Sequence, residues 1–322
     1  VNVGSGVTLL LQDATCCVCG SAAGTPCLEG YDIEFRTCDN KFTFLQCATC
    51  GHVFLSPRPR PDDMDRIYAN YLTTNTASAY SPSPFIAWVK SNVFDRHRMR
   101  HVLRQLKDGS RVLDVGAGAG RLLRLIRSIG HADLRLYANE IRFDDETRRS
   151  LQAADIQLVE GMIEYAEIPE RFDAITSIHT IEHVLDPRAV FAWTFEHLTP
   201  GGVAYLETPD ANALSRSIFK NNWGHTHFPR HINLFSKKHL AGLAVDAGLE
   251  IVHHGNTTSA PSWNMSVRNW LQMDALTRHK SIFEVFNYTN PFTLGAFTLL
   301  DLLLMTLGVP TSTQQLVARR PA

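Results

Sequence analysis

The 322-residue chain has no cysteine after Cys50, and its seven cysteines all fall between positions 16 and 50. A disulfide framework would spread its cysteines across the fold it staples. Their confinement excludes that role and points to one local metal site. Surplus charge is lacking too: 31 Lys and Arg meet 32 Asp and Glu, a formal net charge of −1. A surface built throughout for nucleic acid is thereby excluded, although a local basic patch is not. No early segment joins a basic start, a long apolar run and a small-residue cleavage site, the apolar run at 7–11 being too short, so a cytoplasmic location is expected. Internal repeats and low-complexity tracts are also missing. With 44% hydrophobic residues the chain can bury a substantial core, enough for two units.

What the first fifty residues do hold is a pair of matched turns. Cys16-x2-Cys19-Gly20 and Cys47-x2-Cys50-Gly51 each set two thiols on a tight turn eased by glycine. Four thiolates close a tetrahedron around zinc at about 2.3 Å and leave no open position. Cys16, Cys19, Cys47 and Cys50 are therefore expected to hold a structural Zn2+. Cys17, Cys27 and Cys38 remain as spares, and His52 is redundant beside four cysteines. A redox role is disfavoured because no thioredoxin-like βαβ pattern surrounds the turns.

The proline-rich run at 56–61 bounds this first unit, 1–61. A helical linker at 62–109 reads as a short helix over 62–71, a Thr- and Ser-rich stretch at 73–84, and a long helix over 85–107 carrying Arg96, Arg98, Arg100, Arg104 and Lys107. Strands and helices alternate over 110–254, with strands expected at 111–115, 134–139, 173–178, 202–208 and 249–253 and helices at 188–198 and 236–247. Such alternation predicts a mostly parallel sheet with helices on both faces. An apolar insert fills 255–312, and 313–322 supplies a last strand at 314–318.

The most informative stretch is Val112-Leu-Asp-Val-Gly-Ala-Gly-Ala-Gly120, an apolar strand running into three alternate glycines. A helix follows, with Leu122, Leu125, Ile126 and Ile129 expected on its apolar face and Arg121, Arg124 and Arg127 away from it. Strand, glycine turn and helix open a βαβ unit whose backbone approaches a nucleotide-like ligand. Glu140 ends the second strand 20 residues beyond Gly120, where such folds bond ribose hydroxyls. The spacing G-x-G-x-G departs from the dinucleotide fingerprint, and Asp114 would repel a pyrophosphate while suiting an ammonium group.

These stretches resemble the class I S-adenosylmethionine-dependent methyltransferases, specifically a bacterial group with an EHV motif and an N-terminal four-cysteine ribbon. The resemblance is carried by VLDVGAGAGRLL at 112–123, LYANE at 136–140, RFDAITSIHTIEHVLDP at 171–187, LTPGGVAYLETPD at 198–210 and HFPRHINLFSKKHLAGLAVDAGLEI at 227–251. It implies a Rossmann-like seven-stranded sheet, mostly parallel with an antiparallel last strand. Carried over by position, it implies that Asp114, Gly116, Ala117, Gly118 and Gly120 surround the methionine part of the cofactor. Glu140 would hold the ribose, Ile141 would pack on the adenine, Met162 and Ile163 would flank its edge, and His179 would sit near the sulfonium. Asp173 reads as structural.

Methyl transfer needs an in-line nucleophile and, where the acceptor must lose a proton, a base. Histidine suits that task. His231 is the preferred candidate, His227 the second, and His183 beside Glu182 the third; Trp223 and Phe228 offer an apolar wall. A metal on His225, His227 and His231 is disfavoured because Pro229 and Arg230 break helical spacing. The apolar run at 291–308 approaches membrane-spanning length, but Asp301 at its middle would be costly in lipid. It is expected to be a pocket lid, a homodimer contact or a peripheral membrane contact, and it favours a lipophilic acceptor.

The leading expectation is a small-molecule methyltransferase acting on oxygen, with carbon or nitrogen as alternatives, on an acceptor such as a sugar or lipid-like precursor. A nucleic-acid methyltransferase gripping its polymer with the ribbon and the basic helix is the rival. Near-zero net charge and the lack of an N-P-P-Y-like motif after the fourth strand, where Ser177-Ile-His-Thr180 stands, argue against it. A non-catalytic partner subunit is disfavoured by the intact glycine loop and Glu140.

Overall fold

The computed structural model describes residues 6–63, 66–68, 95–129, 133–273, 285–287 and 290–322. Its centre is a seven-stranded sheet ordered β12-β13-β10-β9-β6-β7-β8. The strands are β6 (Arg111–Val115), β7 (Arg135–Glu140), β8 (Ile156–Glu160), β9 (Phe172–Ile178), β10 (Leu198–Pro209), β12 (Glu250–Thr257) and β13 (Thr313–Arg319). β6 pairs in parallel with both β7 and β9, whereas β13 runs antiparallel to β10 and β12. The last strand is therefore antiparallel, as expected. β8 is the strand that the sequence pattern did not reveal: an edge strand of five residues, only its first buried, it carries little alternation or apolar continuity.

Helices cover both faces. α1 (Arg121–Ile129) and α2 (Asp145–Ala153) follow β6 and β7, and α3 (Pro187–His197) and α5 (Lys237–Asp246) flank β10, with the short α4 (Leu214–Phe219) between them. On α1 the fully buried residues are Leu123 and Ile126, with Leu122 packed beside them. The buried face is thus rotated toward Leu123, away from the stripe expected from periodicity. α2 starts at Asp144, whose side chain accepts from the Thr147 N–H at 2.7 Å and caps the helix. Two buried clusters, one per face, hold the sheet: Leu113, Phe172, Trp193 and Leu206 lie in one, and Val112, Ile126, Leu136 and Tyr205 in the other.

The expected long helix at 85–107 has its first ten residues outside the described set, and the remainder is two short turns, Arg96–Arg98 and Arg100–Leu103. The stretch at 73–84 also lies outside it, and of the expected helix at 62–71 the turn Pro61–Asp63 and residues 66–68 are described.

Residues 6–59 form two small sheets. β1 (Leu11–Gln12) pairs with β5 (Arg58–Pro59), and β2 (Gly24–Tyr31), β3 (Lys41–Cys47) and β4 (Val53–Leu55) form a meander. The meander's fourth strand comes from far along the chain: β11 (Asn233–Leu234) pairs with β4. A shared apolar core follows, in which Phe42, Phe44 and Leu55 pack with Trp223, Phe228 and Ile232. Trp223, expected as pocket wall, is fully buried in this core, whereas Phe228 packs in it and also lines the cleft beside His227.

The insert contributes α6 (Ala260–Met273) and α7 (Pro291–Thr306). Asp301 is buried, accepting from Trp263 Nε1 at 2.8 Å and the Ser259 N–H at 2.6 Å. The charge that would be costly in lipid is thus spent on a contact between the two helices. No helix among the described residues is long and apolar enough to cross a membrane.

Candidate active site

The glycine turn sits at the carboxyl end of β6. Gly116, Gly118 and Gly120 have φ of 72°, 50° and 70°, backbone angles that side chains rarely adopt. A Cβ on Gly116 would land on Thr180, and one on Gly120 would land on Leu151. At Gly118 nothing lies within 4 Å of the Cβ position, which leaves open space over the turn. Gly116 and Ala117 both donate their N–H groups to the Asn139 carbonyl, tying the turn to β7. Glu140 then reaches back: its carboxylate accepts the Gly118 N–H at 3.1 Å and the Ile141 N–H at 3.2 Å. Burial raises the Glu140 pKa, partly offset by those two bonds.

Asp114 lies beneath the turn, buried, accepting from Thr176 Oγ1 at 2.8 Å. Burial pushes its carboxyl up to about 7, with the Thr176 bond acting against the rise and the Glu140 charge adding to it. A cation brought beside Asp114 would restore its charge. The open cradle, Asp114 and Glu140 form a donor set that fits S-adenosylmethionine, whose ammonium and ribose need carboxylates at opposite ends. Ile141 and Met162, the residues expected to pack on the adenine and at its edge, are 61% and 38% exposed. Ile163 differs: it is buried in the core cluster with Trp193. Asp173 accepts the Arg111 N–H at 2.8 Å and the Thr199 hydroxyl at 3.4 Å, joining three strand ends.

Across the sheet edge, sequence-distant segments bring five histidines together. His179 ends β9, with Nδ1 3.1 Å from Glu182 Oε1. Its ring stacks on His225 at 5.6 Å. His231 lies 4.7 Å from His183 and 4.8 Å from His227, ring centre to ring centre. Glu182 is fully buried at the centre, bonded also by Thr208 Oγ1 at 2.9 Å, with His231 Nε2 3.8 Å away. Burial raises its pKa, but the hydrogen bond from His179 and the nearby histidines outweigh it and hold the carboxyl below its ordinary range.

His183 Nδ1 stands 2.9 Å from Tyr68 Oη and 3.0 Å from the Arg230 carbonyl, and burial drops its pKa to about 4. His231 places Nδ1 2.8 Å from the His225 carbonyl, which accepts its proton and leaves Nε2 as the basic atom. Burial and the surrounding histidines push the pKa of His231 well below the usual value. The three expected base candidates therefore meet in space. Tyr68 and the role of Glu182 as their hub were not foreseen; Tyr68 stands 115 residues from its partner, a distance that no local pattern bridges.

Glu182, His183 and His231 also bring ligand-type atoms within 4.8 Å of one another. Among the described residues the other such group is the four-cysteine set. Cys16 and Cys50 sulfurs are 3.6 Å apart and those of Cys19 and Cys47 3.5 Å, with all four inside 4.8 Å. A tetrahedron of 2.3 Å bonds has edges of about 3.8 Å, so this donor set fits zinc. All seven cysteines are free thiols. His52 lies outside the set, buried against Asn233 at 3.2 Å.

Arg98, from the segment read as a possible polymer grip, instead pairs with the buried Glu207, which Tyr205 also bonds.

The profile of a methyltransferase domain family matches residues 91–254, just over half of the chain. The chain belongs to that family and is an S-adenosylmethionine-dependent methyltransferase. Among curated relatives, the ubiquinone biosynthesis O-methyltransferase of Leptothrix cholodnii is 27% identical over 187 residues, covering 52% of this chain and 74% of that protein. The enzyme of the same name from Ralstonia nicotianae is 30% identical over 159 residues, covering 44% and 63%. Among solved structures, phosphoethanolamine N-methyltransferase 2 of Haemonchus contortus shares the fold at a TM-score of 0.52 and 17% identity, over 84% of this chain and 63% of that one. The [4+2]-cyclase SpnF shares it at 0.51 and 15%, over 82% and 97%.

Proposed function

We propose that the enzyme transfers the cofactor's methyl group to a hydroxyl of a small-molecule acceptor, with a histidine of the cluster taking the proton. The observation that carries this reading is the placement of the histidines around Glu182 at the sheet edge where the glycine cradle opens. The cofactor would be held by Asp114 and the turn 116–120 at its amino-acid end, by Glu140 at the ribose, and by Ile141, Met162 and the backbone at Ile163 around the adenine. His179 would stand between the cradle and the cluster. When bound, the cofactor supplies an electrophilic methyl carbon. The protein's part is to orient the acceptor oxygen, exclude water and accept its proton.

The relatives' O-methyltransferase names support oxygen as acceptor atom, and ubiquinone biosynthesis in those names is compatible with a lipophilic phenol. Of the two leading bases, His231 has a defined tautomer but is 5% exposed, whereas His227 borders an open cleft. We assign the cysteine set a structural Zn2+, which free thiols in a reducing cytoplasm would sustain. Phe292, Leu299 and Leu303 leave an apolar stripe of α7 exposed, continued by Leu307 just beyond it, where we place contact with a second copy or a membrane surface.

Calorimetry with S-adenosylhomocysteine, followed by transfer from labelled cofactor to a panel of phenols and diols, tests the reading. Binding unaffected by salt or added RNA, with label in a phenol or diol, is expected. Label in RNA, or no cofactor binding, would overturn it.

A further inference from the structure

His179 and His227 hold left-handed backbones, at φ 53° and 38°. That conformation costs free energy in any residue with a β-carbon, and it persists where surroundings enforce it, commonly at functional sites. At His227 the enforcing surroundings come from the N-terminal unit. Glu34, on the turn joining β2 and β3, sets Oε2 2.7 Å from His227 Nδ1, and Phe35 meets the imidazole edge-on at 5.5 Å. The turn is itself pinned. Asp32 accepts the N–H groups of Phe35 and Thr37 at 3.1 and 2.9 Å, and pairs with the buried Arg230 at 3.2 Å. The Arg230 guanidinium also covers the Phe35 ring at 4.1 Å. Arg230 stands three residues from His227, so one clamp fixes both halves of the Glu34–His227 pair.

We propose that Glu34 is a positioning residue that holds His227 with its proton on Nδ1, so that Nε2 takes the acceptor's proton, and that the cleft both residues border receives the acceptor. This rests on the methyl-transfer reading above. The cleft is lined by Tyr31, Asn221, Asn222, His227 and Asn269, hydrogen-bonding groups suited to a hydroxyl-bearing compound, beside Phe228 and the charged Glu29, Glu34 and Lys41. The acceptor O–H gives its proton to Nε2. The oxygen's electron pair forms the bond to the methyl carbon, and the carbon–sulfur bond breaks onto sulfur. The products are a methyl ether, S-adenosylhomocysteine and an imidazolium beside the Glu34 carboxylate, which then loses its proton to water. Besides Glu34, the titratable groups facing His227 are His183, His225 and His231, with Glu29, Tyr31 and Lys41 across the cleft.

Long-range 1H–15N spectra of the full chain with labelled imidazoles read this directly, His227→Gln supplying the assignment. At pH 7 His227 should show a protonated Nδ1 and an unprotonated Nε2. Glu34→Ala should move at least half of the population to the other tautomer, Glu34→Asp should keep the original form, and Glu29→Gln should change nothing. Catechol added to the protein loaded with S-adenosylhomocysteine should shift His227 but not His239. A protonated Nε2 in the native chain, an unchanged tautomer in Glu34→Ala, or a His227 signal indifferent to catechol would overturn the proposal. S-adenosylhomocysteine affinity and melting temperature, measured on every variant, separate this from misfolding. Loss of cofactor binding in the native chain would sink the methyl-transfer reading while leaving the tautomer as measured.

Discussion

The glycine cradle and the histidine cluster face each other across one sheet edge, yet they are built in opposite ways. The cradle is local: Asp114 to Gly120 is one strand–turn–helix passage, closed by a single carboxylate from the next strand. Its shape is set by backbone, through left-handed glycines and N–H groups. The cluster is assembled from the end of β9, the 225–231 segment, Tyr68 and a turn of the N-terminal unit, and its shape is set by side chains. A backbone device tolerates sequence change beyond its glycines. A side-chain device can be altered one residue at a time, which is how one fold comes to serve different acceptors.

The strongest way to break this contrast is to put a side chain into the cradle. Gly118→Asp adds a Cβ at φ 50° and a second carboxylate beside Glu140. Affinity for S-adenosylhomocysteine should fall by at least 100-fold by calorimetry, with circular dichroism unchanged. Retention of native affinity would mean that the turn is not the cofactor site.

Next in size is the cluster. His227→Ala should lower turnover by about 10²- to 10⁴-fold, the usual contribution of a positioned base. Cofactor affinity should stay within about threefold, which would sharpen the division between the two regions. If His231→Ala gives the larger loss, the roles of the two histidines are exchanged.

Removing the proposed zinc ranks third. Cys47→Ser should release the zinc measured by atomic emission and lower the melting temperature by roughly 5–10 °C, a few kcal/mol for a chain of this size. Because the N-terminal meander shares its core with residues 223–234, the acceptor side should lose activity before cofactor binding weakens.

Asp114 supplies a pH test confined to the cradle. Its folded-state pKa, about 7, lies above the ordinary carboxylate value, so the folded apo form binds the proton more tightly than the unfolded chain. Stability should therefore decline as pH rises from about 4 through about 7. Asp114→Asn should flatten that slope and raise the melting temperature at pH 8, while weakening cofactor binding. Binding of the cationic cofactor to the native protein should tighten over the same window. A slope unchanged by the substitution would remove Asp114 as its source.

The smallest effect belongs to the exposed face of α7. Leu299→Glu with Leu303→Glu should change unfolding free energy by under about 0.5 kcal/mol, as surface substitutions do. Sedimentation and vesicle flotation would show whether self-association or lipid contact is lost.

What was legible in the sequence follows the same division. Val112 to Gly120, Glu140 and the paired cysteine turns are contiguous or regularly spaced, and the structure sets them where those patterns require. The mostly parallel sheet followed from alternation, and its seven strands with an antiparallel last one from family resemblance. β8 escaped because an edge strand with one buried residue leaves little periodic signal. The buried side of α1 shifted because tertiary packing against the sheet, rather than the helix alone, selects Leu123. Tyr68 and Glu34 were unreadable for a deeper reason. Each meets its histidine across more than 100 residues, and nothing local to either position marks the pairing.

The pairing of β11 with β4 also imposes an order of events during synthesis. Both cysteine turns are complete once Cys50 has been made, whereas Asn233 follows about 180 residues later. At about 5–20 residues per second that is an interval on the order of 10–40 s. Throughout it, Val53–Leu55 presents an unpaired edge of three apolar residues outside the ribosome. Until Asn233 emerges that edge is open to any strand beside it, and the newborn chain is most prone to stick to its neighbours on the same polysome.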